Sequence, residues 1–454
     1  MVRDMTTGNP TKKILLFTLP LLIGTLFQQF YNMADSIIVG KLIGKDALGA
    51  VGSTGSITFL VLGLAFGACS GFAIPVAQDF GAGDHEGVRR CVANIIYVGA
   101  IMAIVLTLIT TLGTHSILVL LNTPEELMQG AEDYLFWVFL GTGALVLYNM
   151  LAAILRSLGD SRTPLIYLIV ACVLNVVLDI LFVGPMKMGT AGAAVATVLA
   201  QLISGLACIQ HIRKKFPILH LTRKDMRPDM PTISRLIGVG VPMGLQFSIT
   251  AIGSIIMQAA VNSLGTLVVT SVSVASKLQN IALAPMDSFG VSMATFAGQN
   301  YGARNIERIR KGVLNIFIML MVCAVGGFLV MWRFSDTISL MFVSAEEVEI
   351  LANVRQYMFC NGIFYCVLVL IYLFRNTLQG VGFSKAAMLS GAFELVGRTL
   401  VGWLIVPRFG YAAVCFANPI AWILADCILI PLYIFLFRKL ERSFVNRAAV
   451  PAQP

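Results

Sequence analysis

The sequence predicts an all-α integral membrane protein with twelve transmembrane helices in two pseudo-symmetric six-helix bundles. Three observations carry this expectation. The chain is 57% hydrophobic and only 12% charged, with a mean hydropathy of +0.85, whereas soluble domains carry about 25% charged residues. Its apolar segments fall into twelve runs, and 454 residues accommodate about a dozen spans of roughly 20 residues each. Landmarks of the first half recur in the second at a nearly constant offset. This composition excludes a water-soluble enzyme, a disordered chain and a nucleic-acid binder, despite a net charge of +9.

Apolar runs bounded by Gly, Pro and charged residues place helices at about 14–38, 48–77, 92–112, 133–156, 165–185, 190–212, 236–262, 268–297, 312–332, 355–379, 385–407 and 411–437. Each is read as a helix because backbone exposed to lipid must satisfy its own hydrogen bonds. The first run is too long for a signal-peptide core and no small-residue cleavage site follows it, so a retained helix is expected. The nine cysteines show no CxxC spacing and read as small apolar side chains.

Charge sets the expected topology. With a cytoplasmic N-terminus, 24 Lys and Arg fall in cytoplasmic segments and 6 in external ones, while Lys277 and Arg398 lie within helices. This positive-inside bias predicts a multi-pass protein of the inner (plasma) membrane with both termini cytoplasmic. It also accounts for the net charge without nucleic acid. The longest polar segment, 213–235, carries seven basic residues. The expected organisation is an N-terminal lobe 1–212, a cytoplasmic linker 213–235, a C-terminal lobe 236–437 and a cytoplasmic tail 438–454. The linker's basic run could also touch anionic headgroups.

The halves repeat. AQDFGAGDHEGVRR (77–90) aligns with GQNYGARNIERIRK (298–311) at an offset of 221, with five of fourteen positions identical and six more close substitutions. Gly189 and Gly410 share that offset. Pro20 and Pro242 lie 222 apart, and RSLGDSR (156–162) and QGVGFSK (379–385) 223 apart. Six helices per repeat give both halves the same orientation, so an axis along the membrane normal relates them. Such proteins work as transporters, rocking one bundle against the other. No Walker loop, HExxH or GxSxG competes, and an enzyme is not expected.

Ionisable groups within spans are costly and mark function. Five carboxylates qualify: Asp35, Asp179, Asp287, Glu394 and Asp426. Glu394 and Arg398 stand i,i+4 and read as an intrahelical pair. Asp287, just after Pro285, is either a substrate contact or a cap on the break made by the proline. Asn175 and Asp179 share one face of helix 5. At ~1.5 Å per residue, Asp35, Asn175, Asp179, Thr197 and Tyr134 all fall in the outer part of the N-terminal bundle. Two carboxylates, an amide and two hydroxyls there could exchange a proton or offer hard oxygens to sodium.

These residues carry a family resemblance. Pro20 with QQFYNMADSIIVG (28–40), AQDFGAGD, RSLGDSRTP, the NVVLD of 175–179 and GTAGAAVAT (189–197) resemble the multidrug and toxin extrusion (MATE) transporters, in their prokaryotic DinF-like branch. The resemblance covers the whole chain. It implies a cation-coupling site at Asp35, Asn175, Asp179, Thr197 and Tyr134, with Pro20 as a helix bend linked to protonation. Other branches place acids on helices 7 and 10. Here 236–262 and 355–379 contain no Asp or Glu, which favours coupling through the N-terminal bundle.

The expected function is a secondary antiporter that exports organic cations or amphipathic compounds in exchange for protons or sodium ions. No cofactor is implied, and the expected partners are a small-molecule substrate and the bilayer around a monomer. Asp287, Gln28, Phe30 and Met33 are the candidate substrate contacts. The alternative is a lipid or lipid-linked oligosaccharide flippase of the same superfamily, which would require a cationic cavity; only Lys277 and Arg398 lie at that depth. A membrane enzyme is disfavoured because His85, His115, His211 and His220 are scattered.

Overall fold

The structure is a computed structural model that describes residues 4–120 and 123–448. Among these residues it is all-helical, with no strand. Ten helices are long and apolar enough to cross a membrane: α1 (Pro10–Leu42), α3 (Gly55–Gly81), α4 (His85–Leu120), α7 (Arg162–Val183), α8 (Gly189–Lys215), α9 (Met230–Asn262), α10 (Thr266–Gly302), α11 (Ile306–Ser339), α14 (Ser384–Leu400) with its continuation, and α16 (Tyr411–Ala448). Two bent pairs complete twelve spans, α5 (Glu125–Leu140) with α6 (Thr142–Ser157) at 48°, and α12 (Val348–Ile363) with α13 (Tyr365–Gly380) at 53°.

The bends were not expected, since the sequence reads each pair as one straight helix. Their cause is local packing. Gly141 sits at the first bend, where a Cβ would overlap the Val198 side chain of α8 at 2.0 Å. Gly362, which is 221 residues later, lies beside the second bend, and its Cβ would meet the Phe328 ring at 2.4 Å. Each glycine lets a neighbouring helix come closer than any side chain would permit.

Three other boundaries differ from the sequence reading. Residues 48–53 belong to a separate short helix, α2 (Lys45–Ser53), because Ser53 and Thr54 turn their hydroxyls back onto the carbonyls of Ala50 and Val51, both at 2.7 Å. The eleventh span passes through a π-helical turn at Val401–Ile405 before α15 (Val406–Phe409). Pro407, which has no N–H to donate, is the second residue after that turn. Finally, α8 and α9 take both ends of the expected linker, leaving 216–229 between them, and α16 continues to Ala448 past the expected start of the tail at 438.

Contacts divide the chain into two compact units. One holds Leu19–Ser248; the other holds Met5–Thr18 and the chain from Ile249 onward. The consecutive division 1–212 and 236–437 therefore differs at two places: the first turns of α1 pack with the later helices, and the first turns of α9 pack with the earlier ones. Small residues explain both. In the first unit, Gly67 and Gly71 of α3 face Gly240 and Gly244 of α9, and a Cβ on Gly71 would stand 2.5 Å from the Gly240 Cα. Matched small-xxx-small pairs let membrane helices approach this closely. In the second unit the equivalents of Gly67 and Gly71 are Ser288 and Ser292, and the Ser292 hydroxyl lies 2.7 Å from that of Thr18.

The first unit's core runs from Phe72, Val76 and Cys69 of α3 through Ile95 of α4 and Ile154 of α6 to Phe216 and Leu219 of the linker. The second unit's interior includes a polar network. Tyr357 donates to Gln279 at 3.2 Å and accepts from Asn418 at 3.0 Å, while Asn361 donates to the Cys415 carbonyl at 3.1 Å. All nine cysteines are free.

Candidate functional site

Within the first unit, α1, α5, α7 and α8 bring five of the expected residues together. Asn175 and Asp179 are a helical turn apart on α7, and both are buried. The Asn175 amide donates to the Thr197 hydroxyl of α8 at 3.1 Å, and Thr197 in turn donates to the Ala193 carbonyl at 3.1 Å. Asp35 of α1 faces Asp179, near enough for their carboxyls to interact directly. Tyr134 of α5 packs beside Val39, Ala47, Val183 and Ala193 and lies close to both carboxylates.

A sixth residue joins them. The Tyr31 hydroxyl lies 3.3 Å from Thr197 Oγ1. Because the one Thr197 proton is directed to Ala193, Tyr31 is the donor in this contact. Sequence reasoning missed Tyr31, although its spacing of four from Asp35 on α1 was a legible signal.

The electrostatics of this cluster are unusual. Asp35 Oδ1, Asn175 Oδ1 and both Asp179 carboxylate oxygens are buried without a hydrogen-bond donor. No ion pair among the described residues involves either aspartate. Buried polar oxygens are ordinarily satisfied. Two carboxylates facing each other with no basic side chain paired to either repel when both are ionised, and oxygens of this kind take up a proton or ligate a hard cation.

The remaining expected residues are dispersed. On the helical period, Gln28 shares the face of Tyr31 and Asp35, whereas Phe30 and Met33 lie on the opposite side of α1; Gln28 and Phe30 are exposed. Pro20 sits inside α1, two residues past the point where that helix passes from one unit to the other.

Asp287 is in the second unit, exposed on α10 and engaged by Tyr372 and Arg375. Arg375 is the unexpected member there. The sequence reading names only Lys277 and Arg398 as in-span cations, but Arg375 lies inside α13 and its guanidinium pairs with Glu394 at 3.0 Å. The Glu394–Arg398 contact read from the i,i+4 spacing is longer, at 3.6 Å, and Arg398 also donates to the Thr250 carbonyl. Asp426 lies near Glu394 and Arg375, and neither of its oxygens has a donor. Lys277 rests over the Phe342 ring at 5.0 Å.

Twelve spans, a repeated six-helix plan and a buried acidic pair define a membrane transporter built from two like halves. Comparison with known proteins gives the family. The MatE family profile matches twice, at residues 20–181 and 242–404, once in each repeat. The chain is 30% identical over 386 residues to the probable multidrug resistance protein YpnP of Bacillus subtilis, covering 84% of both chains. It is 22% identical over 419 residues to the multidrug export protein MepA of Staphylococcus saprophyticus, covering 90% of both. Among solved structures, a MATE transporter in complex with MaL6 superposes with a TM-score of 0.89 at 21% identity, covering 97% of this chain and 99% of that one. The chain belongs to the MatE family.

Proposed function

We propose that this protein is a secondary antiporter that exports organic cationic or amphipathic compounds in exchange for protons or sodium ions. It acts as a monomer in the inner (plasma) membrane with both termini cytoplasmic, and it needs no cofactor. The names of the relatives, multidrug resistance and multidrug export proteins, support the substrate class. The excess of basic residues on one side supports the orientation.

One observation carries the coupling site: Asp35 and Asp179 face each other beside Asn175, Thr197 and Tyr134, with oxygens that lack donors. An ion entering from outside is held between the two carboxylates. Neutralising them removes their repulsion and lets α1 move relative to α7. Because α1 begins in one unit and ends in the other, a change around Asp35 is transmitted along the helix through Pro20, where a missing N–H weakens the helical ladder. Coupling then requires only that ion and substrate differ in affinity for the inward- and outward-facing states. The membrane potential contributes about 2.3 kcal/mol per charge per 100 mV. Gln28, on the face of Asp35, and the exposed Asp287 are the proposed substrate contacts, with Phe30 and Met33 as apolar ones. The flippase reading is weaker, because Arg375 and Arg398 both pair with Glu394.

The experiment is transport by purified protein in vesicles given a pH gradient or a sodium gradient, read as extrusion of a fluorescent cation such as ethidium. Asp35→Asn and Asp179→Asn should fold and insert yet lose gradient-driven extrusion. Full coupled transport in Asp35→Asn would remove this site from the mechanism.

A further inference from the structure

The first unit carries a second feature that the coupling site does not use. A groove of about 690 Å³ runs along its flank between α4, α6 and α8, from Val92 to Ala103 on α4 and from Gly143 to Ile154 on α6. Its walls are apolar, and Ile96, Ala100 and Gly143 are exposed along it. At one end the linker folds back to close it. There Leu219 and Leu221 join the lining, and His220 hydrogen-bonds the Arg213 carbonyl at 2.7 Å. The only charged lining side chain is that of Arg213, at this closed end. Lys214 and Lys215 follow it, and all three are exposed. No ion pair among the described residues uses any of them.

Dimensions and charge together specify an occupant. The α4 wall spans about 16 Å at 1.5 Å per residue, close to the ~15 Å hydrocarbon depth of one leaflet. Water finds few hydrogen-bond partners in so apolar a groove, whereas an acyl chain needs none and packs against its walls. The basic end is the last turn of α8, a helix long and apolar enough to cross a membrane, so its end is expected to reach the headgroups. We propose that this groove binds an anionic phospholipid of the cytoplasmic leaflet, with an acyl chain along α4 and α6 and its phosphate on Arg213, Lys214 and Lys215. The assignment to the cytoplasmic leaflet rests on the orientation proposed above; the binding itself does not. A bound lipid also contacts the linker at Leu219 and Leu221, joining occupancy to the segment that leads into α9.

The test uses the full chain purified in detergent and native mass spectrometry with phosphatidylglycerol and phosphatidylethanolamine of identical acyl chains. The wild type should retain phosphatidylglycerol roughly fivefold better, the factor expected from about one interfacial cation. Replacing Arg213, Lys214 and Lys215 together by Gln should abolish that preference while leaving phosphatidylethanolamine bound. Gly143→Leu should lose both lipids, since a Cβ there meets nothing within 4 Å and the longer side chain enters the groove without disturbing the fold. Ala100→Leu provides a second filling variant. Equal retention of the two lipids by the wild type, or unchanged retention in both filling variants, would overturn the proposal. So would displacement of the bound lipid by ethidium, which would make the groove a substrate site. Protease access to a C-terminal tag in oriented vesicles tests the orientation separately. A reversed orientation would move the lipid to the other leaflet without altering retention in detergent.

Discussion

Arg235 Nη1 lies 2.8 Å from Asp79 Oδ1, and its second terminal nitrogen lies 2.9 Å from Gln78 Oε1. This clamp fixes the start of α9 to the end of α3. The repeat makes a counterpart 221 residues later: Gln299 accepts the Met5 N–H at 2.9 Å, and Asn300 donates to the Met5 carbonyl at 3.3 Å. The change from Asp79 to Asn300 follows the charge of what is held, a guanidinium in one unit and a neutral peptide in the other. Arg308 completes the second clamp by donating to the carbonyls of Met5, Thr7 and Gly8. Both clamps sit in the repeated AQDFGAGD and GQNYGARN segments, which gives that repeat a structural meaning.

Arg235→Ala should therefore lower the thermal stability of the purified protein by about 1 kcal/mol, the upper range for a partly exposed pair. Arg235→Lys should recover part of it, keeping the charge but not both hydrogen bonds. Unfolding followed by light scattering or intrinsic fluorescence reads the shift. Identical midpoints for wild type and Arg235→Ala would show that the clamp contributes nothing to stability.

Glu394 is held between Arg375 at 3.0 Å and Arg398 at 3.6 Å, and all three side chains are at most 15% exposed. Glu394→Ala leaves two buried cations without their shared anion and should cost about 3 kcal/mol or more. Arg375→Gln should be more harmful than Arg398→Gln, because the shorter contact is lost. The order of the three midpoints is the check, and Arg398→Gln proving the most damaging would contradict it.

At Gly141, an added Cβ meets the Val198 side chain at 2.0 Å. Gly141→Ala should destabilise by about 1–3 kcal/mol through overpacking, and Val198→Ala should relieve the defect in the double variant. Additive losses in the two single variants, with no rescue, would show that the bend does not depend on this approach.

The linker should respond to pH. Asp225 accepts from the Thr222 N–H at 2.8 Å and hydroxyl at 2.6 Å and pairs with Arg89 at 3.5 Å. The Thr222 contacts hold its carboxyl below the usual carboxylate range. Asp229 is lowered in the same way by Thr232. A depressed folded-state value means that these contacts are at full strength above the unfolded value of about 3.9 and are lost as pH falls through the folded one. Protease cleavage within 216–229 should thus be slow at neutral pH and rise in acid below about pH 4. Asp225→Asn should show the faster cleavage already at pH 7, and cleavage equal to wild type would sever the linker's order from this carboxylate.

Several features were legible in the chain itself. The apolar runs gave twelve spans because a lipid solvent admits little else, and the constant offset gave the two halves. Asp35, Asn175, Asp179 and Thr197 could be grouped from helix period and depth alone, since both follow from fixed helical geometry. What the sequence could not show depended on how closely helices approach. The bends at Gly141 and Phe364 follow from contacts with Val198 and Phe328, distant in the chain. Arg375 was not singled out in the sequence, because its partner, Glu394, stands on another helix. Tyr31 became part of the acidic site only through Thr197.

The sequence by itself determined the solvent, the number of spans, the repeat and the identity of the acids within the spans, because hydropathy and period are local properties. Only the tertiary structure decided which acids face a cation and which face each other. Glu394 lies between two arginines, while Asp35 and Asp179 have no such neighbour. It also decided that α1 and α9 each divide their length between units, because the small faces at Gly240 and Thr18 find matching small faces on α3 and α10.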